Sequence, residues 1–139
     1  MSELGSILEF SESIADAEAP VALPAGDYPA KIVAADVGTS ASSGKARVDI
    51  TFRIQPEDFP ADYEDAGSFA DGKDVHAYVS VEDSKSVRFR LKKFCEAIGA
   101  KMSARLDVNE WIGKSAIITI EQDEFEGVPR ERFRKAEAK

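Results

Sequence analysis

Cysteine and histidine are almost absent from this chain: Cys95 and His76 are the only ones among 139 residues. A single cysteine allows no internal disulfide and no thiolate zinc cluster. A single histidine excludes a histidine-rich metal site. No apolar run approaches the roughly 20 residues that a membrane-spanning helix needs. The opening MSELGSILEF has no basic residues ahead of its apolar ones, so it does not read as a secretory signal. A cytoplasmic protein without a membrane partner is expected.

The familiar catalytic signatures are missing too. There is no G-x-x-x-x-G-K-[ST] phosphate loop, no G-x-G-x-x-G fingerprint and no G-x-S-x-G elbow. The acidic clusters lack the spacing of a calcium-binding EF-hand loop. Nothing singles out a pair of carboxylates for acid–base work. The chain reads as non-enzymatic, with no metal site. Cys95, beside an apolar stripe, reads as a small buried hydrophobe rather than a reactive thiol.

What is present is charge, unevenly placed on a chain whose net charge is -8. Residues 1–30 hold Glu3, Glu9, Glu12, Asp16, Glu18 and Asp27, with no lysine or arginine. Residues 55–74 hold Glu57, Asp58, Asp62, Glu64, Asp65, Asp71 and Asp74 against Lys73 alone. Each stretch nets −6, so the remainder nets +4. Blocks of one sign are usually solvated and often act as interaction tails, although solubility alone also explains them. The pattern describes a mildly basic body with two acidic appendages.

The length suits one domain with a real core. Residues 1–25 read as an acidic N-terminal extension. Leu4, Ile7, Leu8 and Ile14 suit a short amphipathic helix there, which Pro20, Pro24 and Gly26 then break. Residues 26–139 read as a mainly β domain. Strand one, DYPAKIVAADV, places Tyr28, Ala30, Ile32 and Ala34 on one face; the other face is also largely apolar. Residues 38–45 read as a flexible hairpin loop. Strand two, ARVDITFRI, alternates cleanly: Val48, Ile50, Phe52 and Ile54 one way, Arg47, Asp49, Thr51 and Arg53 the other. The acidic excursion, residues 55–72, carries Phe59, Tyr63 and Phe69, and connections of that length are usually functional or mobile. Strand three, KDVHAYVSV, turns Val75, Ala77, Val79 and Val81 inward and His76, Tyr78 and Ser80 outward.

A helix is expected over residues 84–99. Val87, Leu91, Phe94 and Ile98 form one apolar stripe, and Gly99 stops the helix by taking a left-handed cap. Its polar side carries Lys85, Arg88, Arg90, Lys92 and Lys93. Phe89 falls among the lysines, either to meet a base or partner or to be buried under one of the acidic segments. Residues 107–114 read as a short turn capped by Asp107, with Trp111 and Ile112 as a lid. Strand four is SAIITIEQ. A Gly-Val-Pro turn and strand five, RERFRK, follow. Arg130, Arg132 and Arg134 share one face of that last strand, with Phe133 on the other.

Three strands, one helix and two strands is the order of a five-stranded oligonucleotide/oligosaccharide-binding (OB)-like antiparallel barrel, with its helix between strands three and four. In such barrels the strand two to three face and nearby loops are the usual ligand surface. Single-stranded nucleic acid needs cations along its backbone and aromatic faces for its bases. The outward set supplies both. Arg47, Arg53, Arg130, Arg132 and Arg134 are candidates for phosphates and His76 and Tyr78 for bases, while Lys45 and Lys114 border the groove. An edge strand blunted by charge explains the strand-five arginines equally simply.

The segments GDYPAKIVAADV, SSGKARVDITFRI, LKKFCEAIG and WIGKSAIITIEQDEFEGVPRERF, in this order and spacing, resemble a family of small phage-encoded single-stranded DNA-binding proteins. The resemblance covers most of residues 26–134. It implies a barrel without cofactor, in host cytoplasm, acting in DNA replication, recombination or repair. One departure limits it: many strand binders carry an acidic recruiting tail at the C-terminus, whereas this chain ends RFRKAEAK and is acidic at its N-terminus. Recruitment of replication or recombination proteins through the acidic segments, and self-association as a homo-oligomer, are left open. The competing reading is a non-catalytic protein-interaction or virion-assembly module on the same barrel.

Overall fold

Alternation and capping set the elements. The computed structural model describes residues 5–139. Strands β1 (Gly26–Thr39), β2 (Ala46–Ile54) and β3 (Lys73–Ser80) precede helix α1 (Lys85–Ile98), and β4 (Ser115–Phe125) and β5 (Val128–Glu137) follow it. All pairings are antiparallel, and the five strands lie in the order β3-β2-β1-β4-β5. The mainly β architecture with one helix between the third and fourth strands is therefore present. The closed barrel is not: β3 and β5 are both edges, with no ladder between them. Side chains bridge the gap instead. Lys73 Nζ lies 3.4 Å from Glu131 Oε2, and Phe52 of β2 stacks on Phe133 of β5 at 5.5 Å.

β2 buries Val48, Ile50, Phe52 and Ile54 almost completely, as its alternation requires. In β1 the expected phase holds through Tyr28, Ala30 and Ile32, and then breaks. A bulge between Ile32 and Ala34 shifts the register, so Ala35 is buried instead of Ala34. The extra residue bends the strand. Its first part pairs with β4 and its second with β2, which lets one strand serve both halves of the sheet.

α1 begins where Ser84 Oγ accepts from the Val87 N–H at 3.2 Å and ends at Gly99 in the left-handed conformation. Val87, Phe94 and Ile98 are buried with Cys95 and Ala97, while Leu91 is half-buried. Burial pushes the Cys95 thiol up, so it stays a protonated apolar filler. Phe94 meets Trp111 at 5.3 Å and Phe52 edge-on at 6.4 Å. Trp111 closes the core from a 3₁₀ turn, Val108–Trp111, whose cap is Asp107. Ile112 does not share that role: it is 47% exposed, because the chain leaves the turn in extended backbone to join β4. The last hairpin also differs from the expected Gly-Val-Pro turn. Glu126 and Gly127 both take positive φ (53° and 78°), the pairing of a two-residue turn whose twist suits the strands. Val128 and Pro129 already lie in β5.

The acidic excursion is packed, not loose. Phe59 and Tyr63 are buried and meet edge-on at 5.4 Å. It also holds the chain ahead of β1. Tyr63 Oη donates to Val21 O at 2.8 Å, and the Val21 N–H donates to Asp65 Oδ2 at 2.6 Å. Leu23 is fully buried; its N–H donates to Glu131 Oε2 at 2.7 Å and its carbonyl accepts from Gln122 Nε2 at 2.8 Å. Residues 5–20 are exposed and form only a 3₁₀ turn, Ile14–Asp16, so the expected amphipathic helix is not formed there; Leu4 and Glu3 lie outside the described residues.

Burial, followed by the charges of Glu131 and Asp65 and by Tyr28, pushes the Tyr63 phenol from 10.0 up to about 12. Folding thus favours the protonated phenol. Its contribution is whole below about pH 10 and is lost as pH rises through about 12, an effect of ~2–3 kcal/mol. Urea melts across that window should show this loss, and Tyr63→Phe should flatten it. An unchanged slope in the variant would contradict the assignment.

Candidate nucleic-acid interface

Cross-strand register decides which outward side chains meet. On the β2–β3 face, Asp49 lies opposite Tyr78, Thr51 opposite His76 and Arg53 opposite Asp74. Thr51 Oγ1 and His76 Nδ1 are 3.3 Å apart. Tyr78 is 65% exposed, with the Arg47 guanidinium stacked over its ring at 4.8 Å from the centroid. Arg47 Nε is 2.9 Å from Asp49 Oδ1 without hydrogen-bond geometry, and among the described residues that buried N–H has no other partner. Arg53 donates to Asp74 at 2.8 Å, and that hydrogen bond is the main cause raising its pKa.

On the other side of the β3–β5 gap, Arg130, Arg132 and Arg134 are exposed, sharing the face expected of them. β4 places carboxylates among them. Arg130 donates to Asp123 at 2.8 Å and Arg134 to Glu121 at 3.3 Å. The Arg130 hydrogen bond holds the Asp123 carboxyl below its ordinary value. Arg132 makes no ion pair among the described residues.

Between the two edges runs an open groove of about 780 Å³. It gathers Arg47, His76, Tyr78, Arg130, Arg132 and Arg134 from the expected set. Asp49, Asp74, Asp123 and Glu131 line it too, so its four arginines face four carboxylates. Arg53 sits at its margin beside Asp74. Lys45 lies in the β1–β2 hairpin, 3.7 Å from Glu82. Lys114 lines a separate cavity with Trp111, Lys101 and Arg105, away from the groove lining.

Two aromatic residues add to the picture. Phe125, 57% exposed at the end of β4, carries the Arg130 guanidinium 5.0 Å from its ring centroid. Its signal was phase: it is odd-numbered like Thr119, Glu121 and Asp123, while Ala116, Ile118 and Ile120 point inward. Phe89 is 58% exposed, so neither acidic segment covers it among the described residues.

Among the described residues no group of three metal-ligating side chains is placed to hold an ion, and no helix is long and apolar enough to cross a membrane. No protein-family model matches this chain, and no curated protein matches it.

Proposed function

We propose that this protein binds single-stranded DNA with little sequence preference, in an OB-like manner, along the β2–β3 face and the β5 edge. The observation that carries the reading is the pair of exposed aromatic rings, Tyr78 and Phe125, each already stacked by an arginine that lines the groove. An arginine–aromatic stack offers a flat face to a base and a cation to its phosphate, which is the chemistry of sequence-tolerant strand binding. Among the described residues Arg132 is the groove arginine with no ion-pair partner to leave. The resemblance to phage strand-binding proteins agrees with this reading and implies a role in replication, recombination or repair, without catalysis or cofactor.

Tyr78→Ala should weaken binding to a labelled oligo-dT by about 1–3 kcal/mol, the usual cost of one lost stacking platform. Both Tyr78 and Phe125 are exposed, so thermal stability should hardly move. Unchanged affinity in both Tyr78→Ala and Phe125→Ala would remove the site assignment. The competing reading, a protein-interaction or assembly module, is favoured by the equal balance of arginines and carboxylates in the groove. It predicts no oligonucleotide binding at any salt.

A further inference from the structure

Opposite charges and unpartnered apolar side chains stand on two separate parts of this molecule. Residues 84–106 hold seven lysines and arginines against Glu96, a net +6 on a chain of net −8. Arg88 pairs with Asp83, and Lys93 lies 3.8 Å from Glu96. Lys85, Arg90, Lys92, Lys101 and Arg105 have no ion pair among the described residues. Within this basic surface an apolar cleft of about 360 Å³ opens between α1 and the following loop, floored by Leu91, Cys95 and Leu106. Met102 at its edge is 54% exposed, and Phe89 lines a neighbouring cleft on α1 that shares Arg88 and Lys92 with it.

The complementary part is the segment of residues 5–20. Ile7, Leu8, Phe10 and Ile14 are each about 70% exposed. Glu9, Glu12, Asp16 and Glu18 lie among them, with no basic residue. Ile7, Phe10 and Ile14 fall at i, i+3 and i+7, the spacing of one helical face, and helix-in-groove recognition uses such anchors. The segment is tied to the body only from Val21 onward. In the single chain both the segment and the helix surface stay bare.

We infer that the acidic N-terminal segment of one copy docks on the basic apolar face of α1 in a second copy. Two chains that exchange segments satisfy both surfaces at once, which gives a closed two-fold dimer. Coulombic attraction steers the exchange and the apolar anchors hold it, so added salt weakens it. The dimer does not depend on strand binding and leaves the β3–β5 groove free.

Sedimentation velocity of the full chain is expected to give a dimer at low salt that moves to monomer as salt rises. Deletion of residues 1–18 should give a monomer, as should the double variant Phe89→Ser, Lys92→Glu; both sites are exposed, so circular dichroism should be unchanged. Each variant keeps one half of the contact. Mixed together, the two should form a one-to-one complex that neither forms alone. A wild-type chain that is monomeric at every concentration overturns the inference. So does a variant that still dimerises alone, or a mixture that stays monomeric. Intramolecular docking would show itself as a monomer whose Phe89 is protected from solvent.

Discussion

Glu131→Ala should destabilise the protein by about 2–3 kcal/mol, more than the loss of an exposed ion pair and less than stripping one partner from a fully buried one. The Glu131 side chain is only 9% exposed, and its partner Lys73 only 12%. The one carboxylate joins three parts of the chain. It sits on β5, pairs with Lys73 on β3, and accepts the Leu23 N–H ahead of β1. Because no ladder joins β3 to β5, this contact and the Phe52–Phe133 stack carry the closure of the gap. Alanine would leave a largely desolvated ammonium, held over the Phe69 ring at 3.8 Å and the Tyr63 ring at 6.0 Å, and an orphaned amide. Glu131→Gln should cost less, since it keeps an acceptor for Leu23. Lys73→Met with Glu131→Leu should recover much of the loss, because apolar replacements of a buried pair are often near neutral. Urea midpoints of the four proteins check the order. A loss under about 1 kcal/mol in Glu131→Ala would show that the gap is held by apolar contact alone.

Neutralising the groove carboxylates should strengthen strand binding several-fold. Each arginine paired to Asp49, Asp74 or Asp123 has to leave its carboxylate to take a phosphate. Exposed pairs of this kind are individually weak, but their attraction no longer opposes binding once each acid becomes an amide. Asp49→Asn, Asp74→Asn and Asp123→Asn together should also steepen the salt dependence. Five arginines on phosphates approach a log–log slope near −3.5, or ~100-fold between about 50 and 200 mM salt. The wild-type chain should be shallower, because each exchange returns a counterion to a freed carboxylate. Affinity that is unchanged or weaker in the triple variant would mean that these arginines do not meet phosphate.

Elements with one apolar face were legible from the sequence. β2 and α1 have that character, and their inward sets, from Val48 to Ile54 and from Val87 to Ile98, are buried or, at Leu91, half-buried. The bulge in β1 was not legible, because Val33, Ala34 and Ala35 are all small or apolar and alternation says nothing there. Ile112 was misplaced for a related reason: an apolar residue beside Trp111 looks inward until the backbone direction after the turn is known. The outward phase of the site arginines could be read from β2 and β5 alone. Their partners could not, since Asp123 and Glu121 reach Arg130 and Arg134 only through the β4–β5 register. Phe125 lies beyond the strand-four segment SAIITIEQ, which stops at Gln122, three residues short of the end of β4. The packing of the acidic excursion was signalled only by its aromatic residues, whose burial outweighs the solvation of the acids around them.

Strand binding in the β3–β5 groove, as proposed, is open to direct measurement. Fluorescence anisotropy of a labelled oligo-dT and of its duplex, at low and moderate salt, tests it most directly, with the chain lacking residues 1–18 alongside. Binding to the single strand alone, weakened by salt and reduced by Tyr78→Ala, is expected. No binding at low salt by either the full or the shortened chain would contradict it, and would turn the same face into a protein-interaction surface.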